Sequence, residues 1–158
     1  MPYTYLKVLH IIAVVIFLGN IFTGIFWMHI AFKSKDMRII HHTIKGVLKS
    51  DRLFTIPGVI FIVAAGIWTA TSANIPLLRT SWILWSFILF TLSGISFVVR
   101  IDPMQKRILR LSQPSEKTAD EPTWKLLKDA HLQWELWGLF SLLTPLCALV
   151  MMTLKIPK

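Results

Sequence analysis

Long apolar stretches, separated by short polar and charged segments, dominate the sequence. Four of them, over about 5–32, 53–71, 82–101 and 131–154, carry very few charges. At about 1.5 Å per residue, a helix of roughly 18 residues or more spans most of a hydrocarbon core of about 30 Å. Because lipid offers the backbone no hydrogen-bond partners, each stretch is expected to be helical. The pattern predicts an all-α polytopic membrane protein, an antiparallel four-transmembrane-helix bundle that forms a single membrane domain over 1–158.

The cationic residues predict how this bundle is oriented. Six Lys and Arg residues lie in the connection 33–52 and seven lie within 100–128, whereas four lie elsewhere. The positive-inside rule then places the loops 33–52 and 102–130 in the cytoplasm and both termini outside it. We expect a bacterial inner membrane, with the basic loops near anionic headgroups of the lipid bilayer. The same placement accounts for the formal charge of +9, so nucleic acid is not expected as a partner.

The first basic connection has a pattern of its own. Its apolar residues recur at helical spacing: Met37, Ile40, Ile44, Val47 and Leu48. Such a helix either lies in the headgroup region, which is the favoured interpretation, or extends the first helix and packs on its neighbour. Ser50 or Asp51 is the predicted N-cap of the second helix, and Pro57 is expected to bend that helix.

His10 is the foremost candidate for function, because ionisable residues inside a membrane segment are costly. It lies one to two turns inside the first predicted helix. Its imidazole could ligate a heme iron or a metal, relay a proton or bind a quinone headgroup. The alternative is a histidine that hydrogen-bonds a neighbouring helix. About 28 Å of helix separates His10 from His29, so these two histidines cannot hold one ion.

A second group of polar residues is expected at the cytoplasmic ends of the helices: His29, Asp51, Arg100, His131 and Glu135. His131 and Glu135 are four residues apart and therefore share a helix face. A bis-histidine cofactor site from His29 and His131 is conceivable in an antiparallel bundle. The favoured interpretation is a structural polar collar in which Arg100 pairs with Asp51 or Glu135, because charges in membranes usually pair. No metal site is predicted.

Three segments resemble a known family. Leu6–His10, followed by an apolar run to Gly19, resembles the start of the predicted integral membrane proteins catalogued as domain of unknown function 2269. Asp51–Pro57, with Gly66 further along, looks like the second helix of that family, and Trp134–Gly138 is similar to its last helix. The resemblance spans most of the chain. It implies a four-helix fold and brings no established activity.

The opening segment also resembles, more distantly, the membrane protoporphyrinogen oxidase of bacterial heme synthesis and copper-resistance membrane proteins. In the oxidase, a histidine in the same first-helix context is associated with heme b, which implies a heme ligand at His10. The third helix departs from the oxidase because it lacks an intramembrane lysine and has only Arg100 at its inner end. The resemblance therefore leaves heme binding as a hypothesis and does not carry the oxidase activity over.

No catalytic motif assigns an enzymatic activity. The sequence has no Gly-rich phosphate loop, no metalloprotease helix motif and no pair of intramembrane carboxylates. Its single cysteine, Cys147, can form neither an internal disulfide nor a cysteine-based metal site. We therefore expect a membrane protein that binds heme b or another redox cofactor through His10, with an oxidoreductase-like role left open. The alternative is a non-catalytic accessory subunit that packs against a larger membrane complex. The expected protein partner is either a second copy of the chain, in a homo-oligomer, or such a complex.

Overall fold

The computed structural model describes residues 3–113 and 120–157, and all regular structure within them is helical. The α-helices in chain order are α1 (Tyr3–Ser34), α2 (Met37–Ser50), α3 (Ile56–Ser72), α4 (Ser81–Ser96), α5 (Asp102–Leu111) and α6 (Glu121–Leu154). A first π-turn, Asp51–Thr55, joins α2 to α3, and a second π-turn, Phe97–Ile101, joins α4 to α5. The chain therefore forms four long rods, namely α1, α2–α3, α4–α5 and α6.

In the described part of the chain, all four rods are long and apolar enough to cross a membrane. At about 1.5 Å per residue, α1 is about 48 Å long, so the rods reach beyond a hydrocarbon core of about 30 Å. Large apolar side chains cover the outside of the bundle; Val98 and Ile60, for example, are 68% and 65% exposed. Such a surface suits lipid as its solvent. The predicted all-α, polytopic four-helix bundle is confirmed.

Prolines explain why the second and third rods contain π-turns. A proline has no N–H, and its ring crowds the carbonyl four residues earlier. Pro57 and Pro103 each lie two residues after a π-turn. In the first turn, the N–H of Ile56 bonds to the carbonyl of Asp51, five residues back. This wider turn accommodates Pro57 without breaking the rod, so the helix start that was predicted at Ser50 or Asp51 is absent.

The basic connection 33–52 is largely helical. Lys35 adopts a φ of 54° in the turn after α1, and the Asp36 carboxylate then accepts a hydrogen bond from the Arg38 backbone N–H at 2.9 Å to cap α2. The Arg38 guanidinium is 3.4 Å from that carboxylate, and chiefly this contact lowers the pKa of Asp36. The apolar face of α2 packs against α1 and α5. The segment is thus a packed extension, but of the second rod and not of the first.

The second basic connection also differs from the predicted loop 102–130. Helix α5 occupies its beginning, α6 begins at Glu121, and residues 114–119 lie outside the described residues. Gln105 and Ile108 of α5 are buried. The helices therefore continue past the predicted spans and build a packed cap at this end of the bundle.

The two ends of the bundle are packed differently. The loop end, which contains the α1–α2 turn, α5 and the beginning of α6, has an extended core; its buried members include Met28, Phe32, Ile40, Ile44, Ile108, Leu127 and Trp134. The terminal end, where α1 begins and α6 ends, has a smaller cluster of buried side chains, formed in the described residues by Ala13, Phe17 and Ile62. The looser packing at the terminal end leaves space for a cavity.

Candidate functional site

A cavity of about 350 Å³ lies among the four rods at the terminal end. This volume is in the range of small-molecule and cofactor sites. Most of the wall is apolar or aromatic and includes Phe17, Trp82, Phe90 and Met152. Two cationic residues, Lys7 and Lys155, line the same cavity. The cavity therefore suits a molecule with an apolar body and an anionic end.

His10 lies in the wall of this cavity. Its Nδ1 is 3.0 Å from the backbone oxygen of Ile62 on α3. Because a carbonyl oxygen only accepts hydrogen bonds, Nδ1 carries a proton, and in the neutral form of the ring Nε2 keeps its lone pair. Imidazoles that ligate metals are usually oriented by such a bond from their other nitrogen. The alternative prediction for His10, a hydrogen bond to a neighbouring helix, is therefore met by Nδ1. Nε2 takes no part in this hydrogen bond.

Gly66 lies directly against the His10 ring. A Cβ atom at Gly66 would lie 3.1 Å from Cε1 and 3.4 Å from Nδ1 of His10. The missing side chain lets the ring approach α3 and reach the Ile62 carbonyl one turn earlier. In the sequence, Gly66 entered only through the family resemblance. A glycine inside a helix, where it costs about 0.5–1 kcal/mol relative to alanine, is the signal that could have marked this close approach.

A second polar site lies where the first π-turn faces α1 and α5. The Asp51 carboxylate, in a residue that is 8% exposed, accepts hydrogen bonds from three side chains. The donors are Gln105 Nε2 at 2.7 Å, Thr55 Oγ1 at 2.8 Å and Asn20 Nδ2 at 3.1 Å. Asn20 in turn accepts from Ser50 Oγ at 2.6 Å. The network satisfies the buried carboxylate and connects α1, the π-turn and α5.

Gln105 was not among the residues singled out from the sequence, because it lies in the segment predicted as a loop. The signal was present nonetheless. Ile101, Gln105 and Ile108 are spaced four and three residues apart, which is the spacing of one helix face, and all three are buried. A polar residue on an otherwise apolar face indicates a buried polar partner.

The predicted ion pairs of the polar collar are not formed between the described residues. Asp51 has no cationic partner within 4.0 Å in that part of the chain, since amide and hydroxyl groups surround its carboxylate. The Arg100 guanidinium instead lies 5.4 Å from the centre of the Trp137 ring. Glu135 contacts histidines. The structure therefore places Asp51, Arg100 and Glu135 in three separate sets of contacts.

His29, His131 and Glu135 meet where α1 contacts α6 near the loop end. His29 Nδ1 is 3.0 Å from Glu135 Oε1, and His131 Nε2 is 3.7 Å from Glu135 Oε2. One possible ligand atom from each residue lies within 4.8 Å of those of the other two. The structure therefore brings His29 and His131 together, as the sequence suggested, and adds Glu135 to the pair.

Four apolar rods around a mostly apolar cavity define a polytopic helical integral membrane protein. The chain belongs to the family of predicted integral membrane proteins DUF2269, whose family model matches residues 4–157. No curated protein and no solved structure gives a significant match. The family match agrees with the resemblance of the first, second and last helices, whereas the more distant resemblances to the oxidase and to copper-resistance proteins stay predictions.

Proposed function

We propose that this multi-pass membrane protein binds heme b, or another amphipathic redox cofactor, in the cavity at the terminal end, with His10 as a ligand. The observation that carries the proposal is the hydrogen bond between His10 and the Ile62 carbonyl. It fixes the imidazole and leaves the Nε2 lone pair for a metal. Histidine is a common axial ligand of heme iron, and bound heme would supply one-electron redox chemistry.

The rest of the cavity supports a cofactor of this shape. Its apolar wall would exclude water from a macrocycle, and Trp82 and Phe90 add aromatic surface. Heme b also carries two carboxylates. Lys7 and Lys155 line the cavity and offer cations that can pair with carboxylates. The chain itself would bind, orient and desolvate the cofactor; no residue of the wall is assigned a catalytic step.

We propose in addition that the loop end faces the cytoplasm of a bacterial inner membrane, with both termini outside. The support is the charge distribution, with thirteen Lys and Arg residues, six plus seven, in 33–52 and 100–128 against four elsewhere. A reporter active only outside the cytoplasm should work when fused after Lys158 and fail when inserted after Gln113. The reverse result would place the cavity toward the cytoplasm.

Absorption spectroscopy tests the cofactor proposal. The full-length chain, expressed with a supply of heme and purified in detergent, should show a Soret band that His10→Ala abolishes. His42→Ala is the matched control, because His42 is an exposed residue of α2 at the opposite end. A colourless wild-type chain that also fails to take up added hemin would reject heme as the cofactor.

The same preparation distinguishes the two remaining hypotheses, a different small cofactor in the cavity and an accessory subunit. Mass spectrometry of a solvent extract would reveal a quinone or another small cofactor, and its loss from His10→Ala would keep the cavity as the site. A chain without any small molecule that is isolated in stoichiometric complex with another membrane protein would instead support the accessory-subunit alternative.

A further inference from the structure

We propose that His29, His131 and Glu135 form a binding site for one divalent transition-metal ion of the Zn²⁺ type near the loop end of the bundle. About 28 Å of α1 separates His29 from His10. The site is therefore distinct from the cavity, and the proposal stands whether or not the cavity holds heme.

The distances between the three side chains are close to those of a metal site. With metal–ligand distances of about 2.0–2.2 Å, a tetrahedral ion holds its ligand atoms about 3.3–3.6 Å apart. Glu135 contacts the histidines through different carboxylate oxygens, with Oε1 at 3.0 Å from His29 and Oε2 at 3.7 Å from His131. The two distances lie on either side of that separation. The remaining pair is at most 4.8 Å apart. Shifts of about 1.5 Å or less would thus complete a three-ligand site.

His131 is already oriented for this role by its surroundings. The residue is 8% exposed, and its ring stacks on Phe32 with 3.6 Å between centroids and 6° between planes. Rigid packing of a ligand side chain is what a preformed metal site requires.

The two ring nitrogens of His131 differ in their surroundings. Within the described residues, its buried Nδ1 has no hydrogen-bond partner. Its Nε2 faces Glu135 at 3.7 Å, which is too long for a hydrogen bond. Nε2 is not among the buried atoms without a partner, so its lone pair is accessible to a ligand. An ion between Nε2 and the Glu135 carboxylate would give Nε2 its partner.

The donor set and the exposure of the site indicate the class of ion. Two imidazole nitrogens and one carboxylate oxygen favour Zn²⁺ or a similar first-row ion over Mg²⁺ or Ca²⁺, which prefer oxygen ligands. The side chain of His29 is 48% exposed and that of Glu135 is 23% exposed. The site is therefore not enclosed by protein, and three protein ligands leave the fourth tetrahedral position of the ion free.

Metal titration of the full-length chain tests the proposal. The protein, purified in detergent without a histidine tag and treated with chelator, is titrated with ZnCl₂ by calorimetry and with CoCl₂ by visible absorption. We expect one ion per chain. His29→Gln and Glu135→Gln should each weaken binding by about 100-fold or more, since loss of even outer-shell partners costs about 10–100-fold. His42→Gln, on exposed α2 surface, should bind like the wild type.

Each result decides for or against the site. His29→Gln changes a half-exposed side chain, and the glutamine amide can still donate a hydrogen bond to Glu135. The thermal midpoint of the metal-free protein should therefore change little, so that a loss of metal binding reports on ligation. Cobalt bands that indicate nitrogen ligands, and that vanish in this variant, support the site. Absence of binding by the wild type, or an equal loss in His42→Gln, overturns the proposal. Neither outcome depends on heme, because His10→Gln should retain the Zn²⁺ affinity.

Discussion

His10 of α1 lies against α3 at Gly66, one of the two α3 residues without a side chain. A Cβ atom there would be 3.1 Å from the His10 ring. The same ring donates a hydrogen bond to the Ile62 carbonyl, one turn away on α3. The first two rods are therefore in close contact at the wall of the cavity, where an added methyl group would require the His10 ring to shift.

Gly66→Ala should displace the His10 ring and lengthen its bond to Ile62. If the ring ligates heme, hemin affinity in a detergent titration should fall by about 10-fold, the lower end of the effect of altering an orienting partner. Gly94→Ala is the control, because no heavy atom outside its own helix backbone lies within 4 Å of a Cβ there. If the protein binds no heme, the two variants still test the contact between His10 and Gly66. Gly66→Ala should then be less stable than Gly94→Ala, and equal stability would contradict the contact.

Gln105→Leu should destabilise the bundle. It removes the donor that lies 2.7 Å from Asp51 Oδ2 and leaves a buried carboxylate oxygen poorly satisfied. We expect a loss of about 1–3 kcal/mol in the free energy of unfolding, measured by titration with SDS in mixed micelles. Gln133→Leu, at an exposed position of α6, is the control. Similar stability of both variants would argue against the Asp51 network.

Asp51→Asn should cost less than Gln105→Leu. The buried Oε1 of Gln105 has no partner within the described residues. A rotation of the Gln105 amide would therefore let this oxygen accept a hydrogen bond from the new side-chain N–H. Asp51→Leu, which offers no polar atom to Asn20, Thr55 or Gln105, should cost about as much as Gln105→Leu or more. The order of the three midpoints in the SDS titration checks this account.

Ser93→Ala should loosen the contact between α4 and α6. Ser93 Oγ is 2.8 Å from both the hydroxyl and the carbonyl oxygen of Ser141. Hydrogen bonds between membrane helices contribute about 0.6 kcal/mol on average and up to about 1.7 kcal/mol. Ser93→Leu should cost about 1–3 kcal/mol through overpacking. Thr91→Ala, exposed on the same helix, should be close to neutral.

Acid should remove the contribution of Asp36 to stability. The contact with Arg38 lowers the pKa of Asp36 below the unfolded value of about 3.9, so folding favours the carboxylate. The contribution is complete above the unfolded pKa and is lost as the pH falls through the folded pKa. The difference in thermal midpoint between the wild type and Asp36→Ala should therefore shrink between pH 6 and pH 3. A difference that is constant over this range would show that the carboxylate charge has no part in it.

The positions of the helices follow closely from the sequence, whereas the connections do not. The stretch 5–32 lies within α1, and 82 is one residue from the start of α4 at Ser81. The helix start expected at Ser50 or Asp51 is absent, because α2 passes through the first π-turn into α3. Hydrogen-bonding propensity favours a cap at those residues, but packing of the apolar face of α2 on α1 and α5 keeps the rod continuous.

The sequence could not show which polar residues contact one another. The sequence predicts that Arg100 pairs with Asp51 or Glu135, because membrane charges attract. In the structure Asp51 accepts from Gln105, and Arg100 lies over Trp137. The π-turn before Pro57 contributes to this outcome. One additional residue in a turn rotates the helix that follows by about 100° relative to a regular α-helix, which changes the face that each later residue occupies.

The sequence by itself determined that lipid is the solvent of the apolar segments and that four of them are long enough to cross it as helices. These properties are local, because the transfer of a segment into lipid depends on that segment's own side chains. Only the tertiary structure decided that His10 faces Gly66 and that Glu135 lies between His29 and His131. Such pairings depend on the rotation and register of one rod against another, which small side chains at the contacts set and which hydropathy does not encode.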